Sequence, residues 1–409
     1  STASWASAEQ GKQWDFAIDY QLIAPTAEVQ LEECQGSDCQ IVETSIDTSI
    51  LLGAETGLVE DSVVQCDERV LFQYPPVDLT AIEYIIPMGN MNGDMGHVTP
   101  TDHSYFDQRL ELDKQIDVFS PAEGIVRNIQ RMDTSIGEVD EPIDDHRIII
   151  DHPCSVSSYY IHIENFAPRL QEWQPPPGGF AQPMIPVEAG ELLGTFAANL
   201  DYNIVDLNVT LDGFLVPFSY RAEPWKIHTP DWFGYYTPEI REQLVALSPR
   251  TIEPFAGQIA YDIDGRLVGT WFQKDTNGFG GVDTDRFWAG HLTFAYDNLD
   301  PRAIMVSVGT FDESSAWGAV TDNSPDPADV TIESGLILYE LRPWDYYVDG
   351  TYWNEWNLVK GPTLVPRTES YGVIAVELVG DRELRVEMFP GLEPADIEGF
   401  SSAALTYVR

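Results

Sequence analysis

Basic side chains and long apolar runs are both scarce in this sequence. The 409 residues include 22 Lys and Arg against 67 Asp and Glu, which gives a formal net charge of −45 at pH 7. Such a charge repels nucleic-acid phosphates and anionic membrane surfaces, so we expect neither as a partner. No apolar run reaches the roughly 18 residues of a membrane span, so no transmembrane helix is predicted. We interpret the acidity as a solvated surface suited to high salt.

Several signatures of enzymes and of export are also missing. The sequence contains no P-loop, no dinucleotide-binding fingerprint and no G-x-S-x-G elbow. Its first residues, Ser1 to Trp5, lack the basic and apolar regions of a signal peptide, which is compatible with a mature, processed form. Nucleotide-dependent chemistry and serine hydrolase chemistry are therefore not indicated.

Cysteines are few, even in number and confined to the first half of the chain. They are Cys34, Cys39, Cys66 and Cys154. A Gly-Ser turn between Cys34 and Cys39 could close a small disulfide loop, which leaves Cys66 to pair with Cys154, although three connectivities are open. No C-x-x-C spacing occurs, so a cysteine metal site is the weaker alternative. The pattern favours an oxidising, extracellular or cell-surface location.

Short alternating runs bounded by turn residues dominate the chain and predict a mainly β protein. We expect a β-rich elaboration over 1–80, packed on a first antiparallel β domain over 81–212. A connector follows over 213–253, and a second antiparallel domain, a barrel or a sandwich, fills 254–409. The one helix expected lies in the connector, where Thr237-Pro238-Glu239 forms a helix start and Ser248-Pro249 ends it.

The stretch from Gly96 to Asp107 concentrates the side chains most suited to chemistry. Its tightest pair, His103 and Asp107, has an H-x-x-x-D spacing that could place an imidazole nitrogen and a carboxylate oxygen on one metal ion. In a regular strand these positions share a face but lie about 13 Å apart, so the backbone would have to bend there. His97 and Asp102 are interpreted as loop-fixing residues.

Further motifs follow in an order that is similar to that of the zinc peptidases of the LytM/lysostaphin type, family M23. The motifs are His103 with Asp107, the hairpin over 119–126, the strand over 148–152, Tyr160-Ile161-His162-Ile163, and the turn over 187–194. The resemblance covers residues 80–212, about a third of the chain. It implies an antiparallel β domain with a zinc site.

The resemblance is degenerate at its last motif. Where the family has H-x-H, this chain has Asp206-Leu207-Asn208. The resemblance implies His103, Asp107 and the position of Asn208 as metal ligands, with His162 and Asp206 in the catalytic positions. Neutral Asn is a poor zinc ligand, and an ionised Asp206 cannot donate a hydrogen bond. If Asp206 ligated instead, the site would suit manganese or calcium more than zinc.

Two weaker signals lie in the second half of the chain. Gly269-x-Trp271 is similar to the G-x-W of lipocalins, and the closing Tyr407-Val408-Arg409 could bring an Arg against that Trp. The stretch 275–278, with Asp283 and Asp285 nearby, has calcium-like oxygen ligands but lacks the last Glu of an EF-hand. An ordinary acidic loop and a Trp that merely fills a barrel end are the simpler interpretations.

Together these patterns favour a secreted, acidic M23-like protein that binds or scaffolds rather than hydrolyses. One alternative is a metal-dependent endopeptidase of cell-wall or Gly-rich peptides. A second alternative is a C-terminal barrel that holds a small apolar ligand. A structural subunit of an extracellular assembly, including a homo-oligomer, is also open.

Overall fold

A computed structural model describes most of the chain. The described residues are 2–6, 13–17, 26–35, 38–47, 64, 66, 69–91, 96–108, 110–111, 114–132, 145–282, 286–309, 315–319 and 324–409. The chain divides into two compact units, Ser1–Val63 and Val64–Arg409. The fold is mainly β, as the sequence predicted.

The first unit contains a four-stranded antiparallel sheet in sequence order. Its strands are β1 (Thr2–Ala6), β2 (Gln13–Ala17), β3 (Thr26–Gln35) and β4 (Asp38–Asp47). The backbone register places Cys34 opposite Cys39 at the end of the β3–β4 hairpin. The side chains of these cysteines lie outside the described part, so their pairing stays a prediction.

The second unit begins with a group of short and medium strands. They are β5 (Tyr84–Ile86), β6 (Ser104–Asp107), β7 (Ile116–Phe119), β8 (Gly124–Arg131), β9 (His146–His152), β10 (Val156–Ile163), β11 (Asn165–Phe166), β12 (Phe180–Ala181), β13 (Ile185–Val187), β14 (Leu192–Phe196) and β15 (Asn199–Asp206). Most join one sheet in the order β12-β8-β9-β10-β15-β6-β5, with β13 also paired to β8. The strands β11-β14-β7 form a smaller sheet.

The two faces of the large sheet differ because side chains alternate along its strands. One face carries Phe106, Tyr160 and Tyr202, which are fully buried in the main core. The opposite face carries polar side chains, among them Asp201 and Asn203 of β15. This polar sheet face is where the candidate site lies.

Helical segments connect the large sheet to the barrel and cover parts of both. The predicted helix is present as α1 (Pro238–Leu247), which buries Ile240 and Leu244. Thr237 stands at its N-cap but makes no capping hydrogen bond through its side chain. The 3₁₀ helices are Pro153–Ser155, Gln171–Trp173, Pro217–Tyr220, Pro224–His228, Trp232–Tyr235, Gly278–Gly280, Phe287–Gly290, Ile332–Ser334 and Pro394–Asp396.

The last part of the chain forms a closed antiparallel barrel with a small inserted sheet. The barrel strands are β16 (Gly269–Gln273), β17 (His291–Tyr296), β18 (Ile304–Val308), β19 (Ser315–Ala319), β20 (Ile337–Arg342), β24 (Gly372–Gly380), β25 (Glu383–Pro390) and β26 (Leu405–Val408). The inserted strands are β21 (Trp344–Val348), β22 (Thr351–Trp353) and β23 (Thr363–Pro366). Of the two architectures that the sequence left open, the barrel is the one observed.

Trp271 is fully buried in the barrel core, and Arg409 lies against its indole, as the sequence suggested. The guanidinium carbon of Arg409 lies 3.6 Å from the centroid of the Trp271 ring. Arg409 also donates to the carbonyl of Val268 over 2.9 Å and is 8% exposed. This buried cation–π contact closes one end of the barrel.

Residues 64–409 form one compact unit rather than separate bodies. The amide of Asn298, next to the barrel, donates to the carbonyl of Pro87 over 2.8 Å. The hydroxyl of Tyr84 donates to the carbonyl of Glu355 over 2.8 Å. Cys66 and Cys154 form a disulfide, as predicted, and this bond ties the start of the unit to the large sheet. Buried polar contacts therefore connect the regions that the sequence divides into domains.

Candidate functional site

Three neighbouring strands bring the main polar residues of the large sheet together. Asp201 of β15 pairs with Tyr105 of β6 on one side and with Ile161 of β10 on the other. Opposite residues of an antiparallel pair project to the same face, so Asp201 stands on the polar sheet face between two strands. His103 immediately precedes β6, and His162 lies near the end of β10.

Two imidazoles converge on the single carboxylate of Asp201. The Nε2 atoms of His103 and His162 each lie 3.4 Å from Asp201 Oδ2. Their other ring nitrogens also meet carboxylates, because His103 Nδ1 lies 3.1 Å from Asp102 Oδ1 and His162 Nδ1 lies 3.1 Å from Asp145 Oδ2. We name these five residues the His–Asp cluster. It is a continuous chain of alternating carboxylates and imidazoles.

A local irregularity in β10 places His162 within this chain. The register between β10 and β9 shifts between Tyr160 and Ile163, which marks a bulge. Within the bulge His162 has φ +79°, a conformation that side chains with a Cβ rarely adopt. The bulge breaks the strict alternation of the strand and allows the imidazole to reach Asp201. Such backbone strain is often found at functional sites.

A 3₁₀ helix from Pro224 to His228 covers part of the polar sheet face. Its Trp225 donates from Nε1 to Asp102 Oδ2 over 2.7 Å. The ammonium of Lys226 lies 3.3 Å from Asp102 Oδ1 and 3.2 Å from Glu223 Oε2. Lys226 is 5% exposed, so a buried cation forms part of the site itself.

The ionisation of the site follows from burial and from these ion pairs. Burial alone would lower the pKa of His162, but its hydrogen bonds with Asp145 and Asp201 raise it to about 10. The pKa of His103 is also raised, because Asp201 and Asp102 outweigh burial. In contrast, burial and the nearby charge of His103 lower the pKa of His97 to about 4. At neutral pH His162 is therefore a doubly protonated cation, the same charged form is favoured for His103, and His97 is neutral.

This protonation determines what the site can do chemically. A protonated imidazole has no free lone pair, so it can neither accept a proton nor bind a metal. Asp102 and Asp201 remain ionised, since the cationic groups around them lower the pKa of both carboxyl groups against the effect of burial. One oxygen of Asp201, Oδ1, is buried and has no hydrogen-bond partner among the described residues. The arrangement is thus a buried network of paired charges.

The two histidines named from the sequence, His103 and His162, both lie beside Asp201 in the structure. Asp107, the predicted ligand partner of His103, lies elsewhere. β6 is regular from Ser104 to Asp107 in its pairing with both neighbours, so the bend that a shared metal ion would require is absent from this strand. Asp107 lies opposite Asn199, about 13 Å of strand from His103.

Asp206 and Asn208 also lie away from the cluster. β15 ends at Asp206, so Asn208 lies beyond the strand and the two residues do not share a strand face. Asp206 accepts from the Tyr235 hydroxyl over 2.6 Å, and Asn208 donates to Asp206 over 2.9 Å. Both residues therefore stabilise the chain reversal after β15, five residues beyond Asp201.

Asp201 and Lys226 are the site residues that the sequence reasoning missed. A signal for Asp201 was available, since Asn199, Asp201 and Asn203 alternate with Leu200, Tyr202 and Ile204 along β15. That alternation indicates a strand with one polar face. Lys226 has no such signal, because it reaches the site from an irregular connector.

The other candidate sites receive little support from the described residues. Asn277 accepts from Arg221 Nη2 over 3.0 Å, while Asp283 and Asp285 of the calcium-like loop lie outside the described part. Within that part, no group of three or more His, Cys, Asp or Glu side chains is arranged to hold a metal ion. The inward side chains of the barrel, including Trp271 and Phe294, are fully buried against one another. Binding of calcium or of an apolar ligand stays a prediction.

Comparisons with known proteins do not identify the chain. No protein-family model matches it, and no curated protein sequence matches it. None of the helices that the structure describes is long and apolar enough to cross a membrane.

Proposed function

We propose that the protein is an extracellular binding module that is M23-like in its first β domain and does not hydrolyse peptides. One observation carries this proposal: three cationic groups, those of His103, His162 and Lys226, already pair with the carboxylates of the site. They supply the positive charge that a catalytic metal ion would bring to a hydrolytic centre. Binding without hydrolysis is the activity that remains for a site whose charges are already paired.

The chemistry of hydrolysis explains why this pairing matters. Peptide hydrolysis by this route needs a metal-bound water and a group that accepts its proton. Both histidines of the cluster hold their protons through carboxylates on each side. The covering 3₁₀ helix also places Trp225 over the polar sheet face, where a substrate would have to approach the cluster.

The extracellular location is supported by the disulfide between Cys66 and Cys154, since such bonds persist mainly in oxidising compartments. The M23-like assignment is supported by the way in which two of its motifs meet. The strands that carry His103 and His162 flank β15 on its two sides.

A metal-dependent peptidase is the second candidate, and a specific feature favours it. Each imidazole binds a buried carboxylate through Nδ1, the arrangement that orients histidine ligands in metal sites. By donor type, His103 Nε2, His162 Nε2 and Asp201 would fit zinc once both protons had left. The bound ion would then supply a Lewis acid and an activated water.

Metal analysis combined with a cleavage assay distinguishes the two candidates. Protein purified without chelator is analysed by plasma mass spectrometry and incubated with pentaglycine, beside His103→Ala and a control, His228→Ala. The control histidine lies outside the cluster, and its imidazole Nδ1 forms a hydrogen bond with the Val209 carbonyl. We expect no stoichiometric zinc or manganese and no cleavage by any of the three proteins.

Near-stoichiometric metal that is lost in His103→Ala and kept in His228→Ala, together with cleavage, would establish the peptidase and refute the binding module. Metal without cleavage would refute only the claim that the cluster excludes an ion.

A further inference from the structure

A partly buried arginine without a partner lies on the same polar sheet face. Arg147 of β9 forms no side-chain ion pair or hydrogen bond with any residue that the structure describes, and its Nε is buried. The chain has 67 acidic and only 22 basic side chains, so an arginine that lacks a carboxylate is unexpected here. Its neighbour Arg127, by contrast, pairs with Asp151 over 2.6 Å.

The strand register places further polar groups beside Arg147. Gln130 of β8 lies opposite Arg147, and Asn128 lies two residues further along, opposite Ile149. Tyr159 of β10 pairs with Ile149 from the other side. The Oδ1 atom of Asn128 is buried and has no hydrogen-bond partner among the described residues. Three buried polar groups without a hydrogen-bond partner among the described residues thus occupy one corner of the sheet, those of Arg147, Asn128 and the Tyr159 hydroxyl.

The unpaired polar groups in this corner lower the stability of the folded protein, and a bound anion would compensate for that loss. Burial lowers the pKa of Arg147, and the nearby charge of Arg127 adds to this effect, which Tyr159 and Glu223 oppose only in part. A desolvated charge without a partner costs stability, as does a buried acceptor without a donor. A ligand that brings a carboxylate to Arg147 and an N–H to Asn128 would satisfy both.

Solvent can reach the corner directly, because Arg147 and Gln130 are only half-buried. The covering helix lies over the next part of the same face, where Trp225 packs against Ile149 and Tyr159. A ligand can therefore approach Arg147 from the side of Gln130 without displacing the 3₁₀ helix.

We propose that Arg147 binds the C-terminal carboxylate of a peptide, with the amide of Asn128 bonded to the peptide backbone. The guanidinium fork matches a carboxylate with two parallel hydrogen bonds. A multiply charged anion such as phosphate is repelled more strongly by a chain of net charge −45. A purely aliphatic carboxylate would leave Asn128 unsatisfied. This inference rests on the proposed binding function and names its partner.

Affinity selection tests the inference. The full chain is equilibrated with an equimolar mixture of N-acetylated tripeptides, half with free C-termini and half amidated. Retained peptides are then quantified by mass spectrometry. We expect at least tenfold enrichment of the free acids over the amides. Arg147→Gln should abolish the enrichment and Arg147→Lys should reduce it. Arg169→Gln, which removes an exposed arginine of the same unit, should leave it within twofold of wild type.

Each of the other outcomes tests a different statement about the site. Equal retention of acids and amides, or enrichment that persists in Arg147→Gln with a normal circular dichroism spectrum, overturns the inference. Inorganic phosphate that binds by calorimetry in an Arg147-dependent way, without enrichment of the acids, assigns a simple anion site instead and also overturns it. Cleaved peptides in the same spectra would refute the non-catalytic function and leave the carboxylate site to be judged by the enrichment alone.

Discussion

One carboxylate oxygen of Asp201 contacts two imidazoles, so removing this carboxylate affects both histidines at once. In Asp201→Asn, His103 and His162 would face a neutral amide while burial still opposes their charges. Removing one partner of a buried ion pair costs about 3 kcal/mol. We expect a loss of stability of about that size, measured by urea unfolding at pH 7. Asp264→Asn is the control, since it breaks an exposed pair with Arg382 and should change stability little.

The alkaline pH dependence of stability provides a second, independent measurement. The pKa of His162 is raised from 6.5 to about 10 by folding. Its contribution to stability is therefore fully present below about pH 6.5 and is lost as the pH rises towards 10. We expect the melting temperature of the wild type to fall over this interval, and to fall less in Asp201→Asn. Parallel profiles for the two proteins would show that Asp201 does not hold the proton on His162.

At the scale of elements, the strands and the helix were largely predictable, whereas the residues of the site were only partly so. Alternation predicted the strand that carries His162, and the signals for a helix start and end predicted α1. The end of β15 is not visible in the sequence, because the alternating pattern from Ile204 to Leu211 continues beyond the point where Asn208 turns the chain. Asp201, in contrast, was predictable from the alternation of polar and apolar residues at the start of β15. No local pattern reveals Lys226 or the bulge at His162, since both depend on contacts between distant segments.

The first barrel strand begins at a residue whose backbone only glycine adopts easily. Gly269 has φ +115°, and a Cβ there would lie 2.0 Å from Asp262 Oδ1. That carboxylate accepts from the amide of Thr270 and lies near Arg409, so it cannot move without breaking the barrel end. Gly269→Ala should therefore cost about 3 kcal/mol in urea unfolding.

Gly350→Ala is the matched control for this element. Gly350 also has a positive φ, +77°, but nothing lies within 4 Å of the added Cβ. Only the backbone penalty of about 1 kcal/mol should remain. Equal losses in the two variants would mean that the contact with Asp262 contributes nothing.

For the whole molecule, residues 64–409 should unfold as one cooperative unit. The regions before and after the connector share buried hydrogen bonds, such as that from Asn298 to the Pro87 carbonyl. Calorimetry of a chain trimmed to 64–409 should give one transition whose van't Hoff and calorimetric enthalpies agree. Asn298→Ala should lower the temperature of that transition without dividing it. Two resolved transitions in the wild type would instead show that the sheet and the barrel unfold separately.

The barrel closes where β16 pairs with β26. This pairing also determines how late in synthesis the barrel can form. Phe272 pairs with Val408, so β16 cannot form this pairing until well over a hundred further residues have been synthesised. At roughly 5–20 residues per second, the delay is on the order of ten seconds. During that time the apolar faces of strands β16 to β25 are not yet enclosed in a barrel. Productive folding of the barrel is therefore completed only after translation has passed β26, and until then the nascent chain depends on protection from aggregation.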